Sequence, residues 1–260
     1  MSKDLSRITG IPVELTDDHR LKLGEGVVCE SESIRSRSDL AVVVADETLK
    51  LDRSPAYFMY RNVHRSEDES VLLKNDLRFD LTVIPAAKLG NEYIKTSGHY
   101  HPPKPGSKVE FPELYYVLSG QATYLMQKNE TEGSISDVII SRLKPGEAII
   151  IPPGYGHVTI NETETTLVIA NWVETNFKSE YGDFETNRGA SYYLNTDGKI
   201  VKNPRYPNAA EFKIMRSSPQ IISELKKTPV YQYVSSIKKI EFLVKPEDFL
   251  NDLKIEKLFS

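Results

Sequence analysis

Three observations predict an all-β protein built on a jelly-roll barrel, a double-stranded β-helix, with N-terminal strands and a small α+β appendage at its C-terminus. Short runs rich in Val, Ile, Tyr and Phe recur through the middle of the chain, and some alternate at period two, as Leu77-Arg78-Phe79-Asp80-Leu81-Thr82-Val83-Ile84 does. Turns containing Gly or Pro punctuate these runs, among them Leu89-Gly90, Ser119-Gly120 and Pro152-Pro153-Gly154-Tyr155-Gly156. Many short strands at such spacing describe a jelly roll. The third observation is polar: His99, His101, Glu113 and His157 fall on segments that one barrel would gather on its inner wall.

In chain order, Pro12 to Leu15 and Gly26 to Cys29 read as short strands, and Glu30 to Asp39 as a polar link with alternating charge. Ala41 to Leu49 is apolar without a clear period, so helix and strand both stay open. Ala56 to Val63 is an aromatic-rich strand and Glu67 to Glu69 a charged turn. Tyr93 to Thr96 is the next strand, Pro102 to Gly106 a proline-rich excursion, and Glu113 to Leu118 a strand ending at Ser119-Gly120. Gln121 to Gln127 returns through Val138-Ile139-Ile140, with Asn129 to Ser134 as the polar hairpin end. Thr165 to Trp172 is the last long barrel strand, and Asn195 to Lys199 is a hairpin turn closing on Ile200-Val201.

Past Asn208 the character changes. Pro219 to Lys227 reads as a helix capped by Ser218, Tyr231 to Val234 and Ile240 to Val244 as strands, and Pro246 to Leu253 as an acidic-started helix. The expected organisation is an N-terminal segment 1–50 packed on the barrel, a barrel domain 51–208 and a C-terminal extension 209–260.

A chain of 260 residues, 39% hydrophobic and 27% charged, is long enough to bury a sizeable core. The net charge of −4 argues against a dedicated nucleic-acid binder. No apolar run reaches the roughly 18 residues of a membrane span, and the start of the chain lacks the apolar stretch of a signal peptide. A cytoplasmic protein with no membrane partner is expected. The single Cys29 excludes an intrachain disulfide and reads as a buried small hydrophobe. No phosphate-gripping loop and no dinucleotide fingerprint is present.

The chemistry-bearing residues are three imidazoles and a carboxylate. His99 and His101 are two apart, so on a strand both side chains share a face. Such a nitrogen and oxygen set, with no thiolate, suits Fe(II), Mn(II), Ni(II) or Zn(II). Glu110 competes with Glu113 for the carboxylate role, and Glu113 is preferred because it keeps the six-residue spacing to Gly120. Tyr115 shares the inner face with Glu113, whereas Tyr116 points the other way. His19 and His64 sit in polar surroundings and are expected at the surface.

The two clusters resemble the cupin signature. Its first half is His-x-His followed by a glutamate with six residues between it and a glycine, here His99, His101, Glu113 and Gly120, with eleven residues between His101 and Glu113 where three or four is usual. Its second half runs unbroken through Gly146, Pro152, Gly154, His157 and Asn161. More specifically, the stretch from Tyr57 to Pro207 is similar to the cupin-type glucose-6-phosphate isomerases of archaea. The likeness rests on Thr96-Ser97-Gly98-His99-Tyr100-His101, Glu113 to Gly120, Ile151 to His157, Tyr181-Gly182 and Asn203-Pro204-Arg205.

That resemblance implies a homodimeric, metal-dependent enzyme that interconverts glucose 6-phosphate and fructose 6-phosphate through a cis-enediolate. It implies one divalent ion per subunit, Fe(II) first, on His99, His101, Glu113 and His157. It places the sugar phosphate at Thr82, Thr96, Ser97 and Gly98, and the catalytic roles on Glu113, Tyr115 and Tyr181. Proton transfer by Glu113 is preferred over a hydride shift. The longer 102–112 loop and Ser179, where family members can carry histidine, are departures. Another metal cupin enzyme, or a non-catalytic sugar-binding cupin, is the alternative.

Overall fold

The computed structural model describes residues 2–131, 134–225 and 229–260. A small N-terminal sheet is made by β1 (Lys3–Asp4), β2 (Val13–Leu15) and β3 (Leu21–Leu23). The barrel consists of two six-stranded sheets. The first contains β4 (Val27–Ser36), β5 (Pro55–Arg65), β6 (Leu77–Ile84), β9 (Glu113–Ser119), β12 (Ala148–Ile151) and β14 (Leu167–Glu174), hydrogen-bonded in the order β12-β9-β14-β6-β5-β4. The second contains β7 (Lys88–Leu89), β8 (Glu92–Lys95), β10 (Ala122–Thr131), β11 (Ser134–Leu143), β13 (Tyr155–Asn161) and β17 (Phe212–Ile214), in the order β17-β11-β10-β13-β8-β7. The crossovers between non-consecutive neighbours are those of a jelly roll. A hairpin of β15 (Tyr192–Leu194) and β16 (Ile200–Lys202) closes on the predicted Asn195–Lys199 turn.

Strands β9 and β14 are buried at every position, although a strand normally exposes alternate residues. One face is the barrel interior. The other is covered by the C-terminal extension, which lays Tyr231 against Phe79 and Trp172 with ring centroids 5.4 and 6.0 Å away. The Trp172 indole N–H donates to Val230 O at 2.9 Å. Tyr231 donates to Asp68 at 2.8 Å and accepts the Arg65 N–H at 2.9 Å, so no polar atom of this aromatic contact lacks a partner.

Several expected elements differ. Glu30 to Ser36 is no link: it completes β4, an edge strand whose alternating charges face solvent, as edges that must not pair with strangers require. Ala41 to Leu49 is neither helix nor strand, because Ser38–Val43 turns as a 3₁₀ segment that buries Leu40 and Val43. The 67–69 turn continues into the helix Glu69–Lys74. Tyr231 to Val234 and Ile240 to Val244 are not strands. They lie largely in the 3₁₀ turns Val230–Leu243, where consecutive apolar residues are all buried against the sheet and alternation is lost. The expected helices at 219 and 246 are the 3₁₀ turns Gln220–Leu225 and Pro246–Phe249, and Lys226 and Lys227 lie outside the described residues, as do positions 132–133 of the 129–134 hairpin end.

His64 is buried rather than exposed, its Nδ1 donating to Asn62 O at 2.8 Å. Cys29 is only half-buried, on the edge strand. Among the described residues, no helix is long and apolar enough to cross a membrane.

Phe79 is fully buried between Trp172 and Tyr231, so Phe79→Ala should lower unfolding free energy by about 3–5 kcal/mol in urea titrations. Leu73→Ala, at a position 66% exposed, should stay within about 0.5 kcal/mol.

Candidate metal centre

The two histidine-bearing segments are clipped together through their backbones. The His99 N–H donates to His157 O at 3.2 Å and the His157 N–H to His99 O at 3.0 Å. Close approach depends on two glycines. A Cβ on Gly98, which has φ +78°, would lie 2.5 Å from the Phe184 ring, and one on Gly156 would lie 2.5 Å from the Tyr100 ring. Tyr100, between the histidines, faces the other way and accepts from the Gln127 amide at 2.9 Å.

Eleven residues separate His101 from Glu113, and the structure absorbs them by pinching the loop at its base. Phe111 N–H donates to Pro102 O at 3.3 Å, Pro103 bridges Glu110, and Lys104 N–H donates to Val109 O at 2.9 Å. The loop thus returns beside its start, and Glu113 begins β9 next to His101. Glu110 is carried away on the loop to the separate cleft that Lys128 and Gly154 line.

Ligand-type atoms of His99, His101, Glu113 and His157 all lie within 4.8 Å of one another. His101 Nδ1 sits 2.8 Å from Phe111 O; a carbonyl only accepts, so Nδ1 carries the proton and Nε2 presents a lone pair. That lone pair is 3.1 Å from His99 Nε2 and 3.2 Å from Glu113 Oε2, which in turn is 3.4 Å from His157 Nε2. Glu113 Oε2 is nevertheless without an aligned hydrogen bond, as is His157 Nδ1. Three imidazoles and a carboxylate gathered this closely are a donor set that fits a divalent ion.

The protonation states also fit. Burial, with His157 and His101 alongside, holds His99 well below the usual histidine range, and burial lowers His157 as well. Burial opposes the charge on Glu113, but the His101 and His157 rings outweigh it and keep the carboxyl well below the usual carboxylate range. Neutral imidazoles and an ionised carboxylate are the forms that ligate metals. Asn171 holds the other carboxylate oxygen, Oε1, at 2.7 Å.

Thr82, Thr96, Ser97, Gly98, Tyr115 and Tyr181 line the same pocket. Thr96 Oγ1 accepts the Thr159 N–H at 3.0 Å, which leaves its own hydrogen free to turn inward. The Tyr57 hydroxyl lies 3.3 Å from Ser97 Oγ. Tyr115 places its hydroxyl 3.1 Å from His157 Nε2, and burial followed by the Glu113 charge pushes its pKa well up. The Tyr181 ring is 5.5 Å from that of His99. Tyr116 does point away, hydrogen-bonding Tyr233 on the outer face.

Reading by sequence missed Tyr57, Arg61, Arg78, Asn171 and Phe177, all of which line this pocket. A polar residue in the otherwise apolar run of β14 was the available signal for Asn171, and the alternation Arg78, Asp80, Thr82 was the signal for a polar inner face on β6.

A jelly-roll barrel that gathers three imidazoles and a carboxylate into one buried cluster defines a cupin with a candidate metal centre. The family model for glucose-6-phosphate isomerase (GPI) matches residues 34–211. This chain belongs to that isomerase family. Relatives bearing the name glucose-6-phosphate isomerase include those of Thermococcus litoralis, 26% identical over 67% of this chain and 87% of theirs, and Thermococcus gammatolerans, 28% identical over 72% and 94%. The Pyrococcus furiosus relative is 26% identical over 67% of this chain and 88% of its own. Among solved structures, Bacillus subtilis oxalate decarboxylase superposes on 46% of this chain and 26% of that chain at 16% identity with a TM-score of 0.34, too loose a match to bear on chemistry.

Asn171→Ala leaves Glu113 Oε1 buried without its donor. The substitution should cost about 1–3 kcal/mol of stability in chelator-treated protein, read from the denaturation midpoint at unchanged m-value.

Proposed function

We propose that this chain interconverts glucose 6-phosphate and fructose 6-phosphate in the pocket described, with one divalent ion per subunit on His99, His101, Glu113 and His157. The observation that carries this reading is the four-residue cluster opening into the pocket that Thr82, Thr96, Ser97 and Gly98 also line, in a chain of the isomerase family. Fe(II) is the preferred ion, and Mn(II), Ni(II) and Zn(II) suit the same donors. When bound, the ion polarises the oxygens on C1 and C2, which acidifies the hydrogen to be moved and stabilises developing charge.

The remaining work falls to the protein. Thr82 and Thr96 hydroxyls, with Ser97 and the Gly98 backbone, hold the sugar phosphate without a lysine-centred loop. Asn171 donates to Glu113 Oε1 and so fixes the plane of the carboxylate, the group assigned to carry the proton between the two carbons. Tyr115 and Tyr181 orient the sugar hydroxyls. The protein acts as a cytoplasmic homodimer, with the exposed edge strands as surfaces that association would cover. Segment 51–208 serves as the catalytic barrel, while 1–50 and 209–260 pack around it and each add one edge strand, β4 and β17.

A coupled assay from fructose 6-phosphate tests the proposal. Thoroughly chelated protein should be inactive and regain turnover when Fe(II), Mn(II), Ni(II) or Zn(II) is restored singly; full turnover without metal rejects the metal's role. His157→Ala should lose metal and activity together.

Two further substitutions separate the roles. Glu113→Gln that keeps its metal should lose turnover, and substantial turnover there would mean that hydrogen moves as hydride. Thr96→Val should raise KM by roughly 10- to 100-fold, the loss of one hydrogen bond to a charged group.

A further inference from the structure

One part of the pocket is not used by the mechanism above. Asp80, with a fully buried side chain, accepts from Arg61 Nη1 at 2.7 Å, from Arg78 Nε at 2.9 Å and from the Asn62 N–H at 2.8 Å. Two guanidiniums share the Asp80 carboxylate, so neither has a carboxylate partner to itself, and Glu113 is the other carboxylate lining the pocket. Both arginines line the pocket and keep 34% and 23% of their side-chain surface, whereas Asp80 keeps none.

Strand register says where this charge sits. On β14, Asn171 pairs with Asp80 on one side and Tyr115 on the other, and Val173 pairs with Arg78. The arginines therefore stand at the Asn171 and Glu113 end of the pocket, while Thr82, paired with Met59 and Ile169, stands further along the same strand. The hydroxyl-rich end and the cationic end are different places.

Asn62, directly after Arg61, has φ +49°, a left-handed conformation that asparagine adopts more readily than most residues, and its N–H turns inward onto Asp80. The Arg61 Nη2 group meets the Met59 thioether at 3.3 Å, a weak acceptor that leaves hydrogen-bonding capacity facing the pocket. A buried ion cluster seldom adds stability over apolar packing, so its placement at a ligand pocket calls for a ligand.

We propose that Arg61, oriented by Asp80 and backed by Arg78, binds the sugar oxygen on which negative charge gathers as hydrogen moves between C1 and C2. This rests on the isomerase reading above. Arg61 is then a catalytic residue and Asp80 a positioning one. A planar, permanently charged donor aimed at developing charge is the kind of group that lowers a barrier without tightening substrate binding.

The test uses metal-loaded protein and calorimetric titration with two phosphorylated probes. One is an aldonic acid 5-phosphate, whose carboxylate imitates the charged C1–C2 end; the other is sorbitol 6-phosphate, neutral there. Wild type should prefer the aldonate. Arg61→Met should lose about tenfold or more of that preference, change sorbitol 6-phosphate affinity by less than about threefold, and lower kcat by roughly 10²–10³ with KM little changed. Because Arg61→Met strands Asp80, the pair Arg61→Met/Asp80→Asn removes both charges and should show the same loss.

An unchanged aldonate preference in these variants overturns the proposal. So does an equal loss for both probes, which would put Arg61 on the phosphate. Wild type that binds neither probe and turns over neither sugar phosphate rejects the isomerase reading itself, and the proposal with it.

Discussion

A buried carboxylate that must stay ionised sets the terms for this pocket. Glu113 is almost inaccessible to water, and a lone charge in such a place would neutralise itself by taking a proton. The Asn171 amide donates to one oxygen, the rings of His101 and His157 stand at the other, and a divalent ion held in this cluster would add balancing positive charge. The amide and the two rings come from different strands and loops. The barrel is therefore closed around Glu113 by electrostatics as much as by apolar packing.

Two peripheral features serve the same end. The pinched 102–112 loop supplies the Phe111 carbonyl that selects the His101 tautomer, and stacks Phe111 on Phe177, whose ring lies 4.5 Å from that of His101. Lys104 on this loop pairs with Glu247 of the C-terminal extension at 2.5 Å. The extension thus seals the outer face behind Trp172 and also meets the loop that carries Phe111. A segment with no site residue of its own becomes part of the site's support.

The sequence made the four-residue cluster readable because its spacing encodes geometry directly. A His-x-His pair can share a face only in extended backbone, and a glutamate opening a strand can meet them only if the intervening loop doubles back. The barrel strands were readable where they alternate, as Leu77 to Ile84 does. The C-terminal extension was not. Its apolar residues follow the contour of a sheet rather than a period, so Tyr231 to Val234 imitated a strand while folding as 3₁₀ turns. Edge strand β4 failed for the opposite reason, since its charges were arranged to discourage pairing and read as a linker. Asn171, Arg61 and Asp80 were hidden because only cross-strand register brings distant strands into one row.

That register also explains why the pocket has two chemically distinct ends. Along β6 the inward residues run Arg78, Asp80, Thr82, from charged to hydroxyl, and β14 matches them with Val173, Asn171 and Ile169. A ligand lying across this row would meet a fixed cation at one end and neutral hydroxyl donors at the other. Neutral donors can hold a phosphate, and a charge that develops only during reaction gains from a cation already in place, because no reorganisation is then required as it forms. In the proposed reaction, guanidiniums near Glu113 and hydroxyls further along β6 would divide recognition of the resting sugar from recognition of its reacting end. The division is written into a single strand by nothing more than which residues fall at even steps from Arg78.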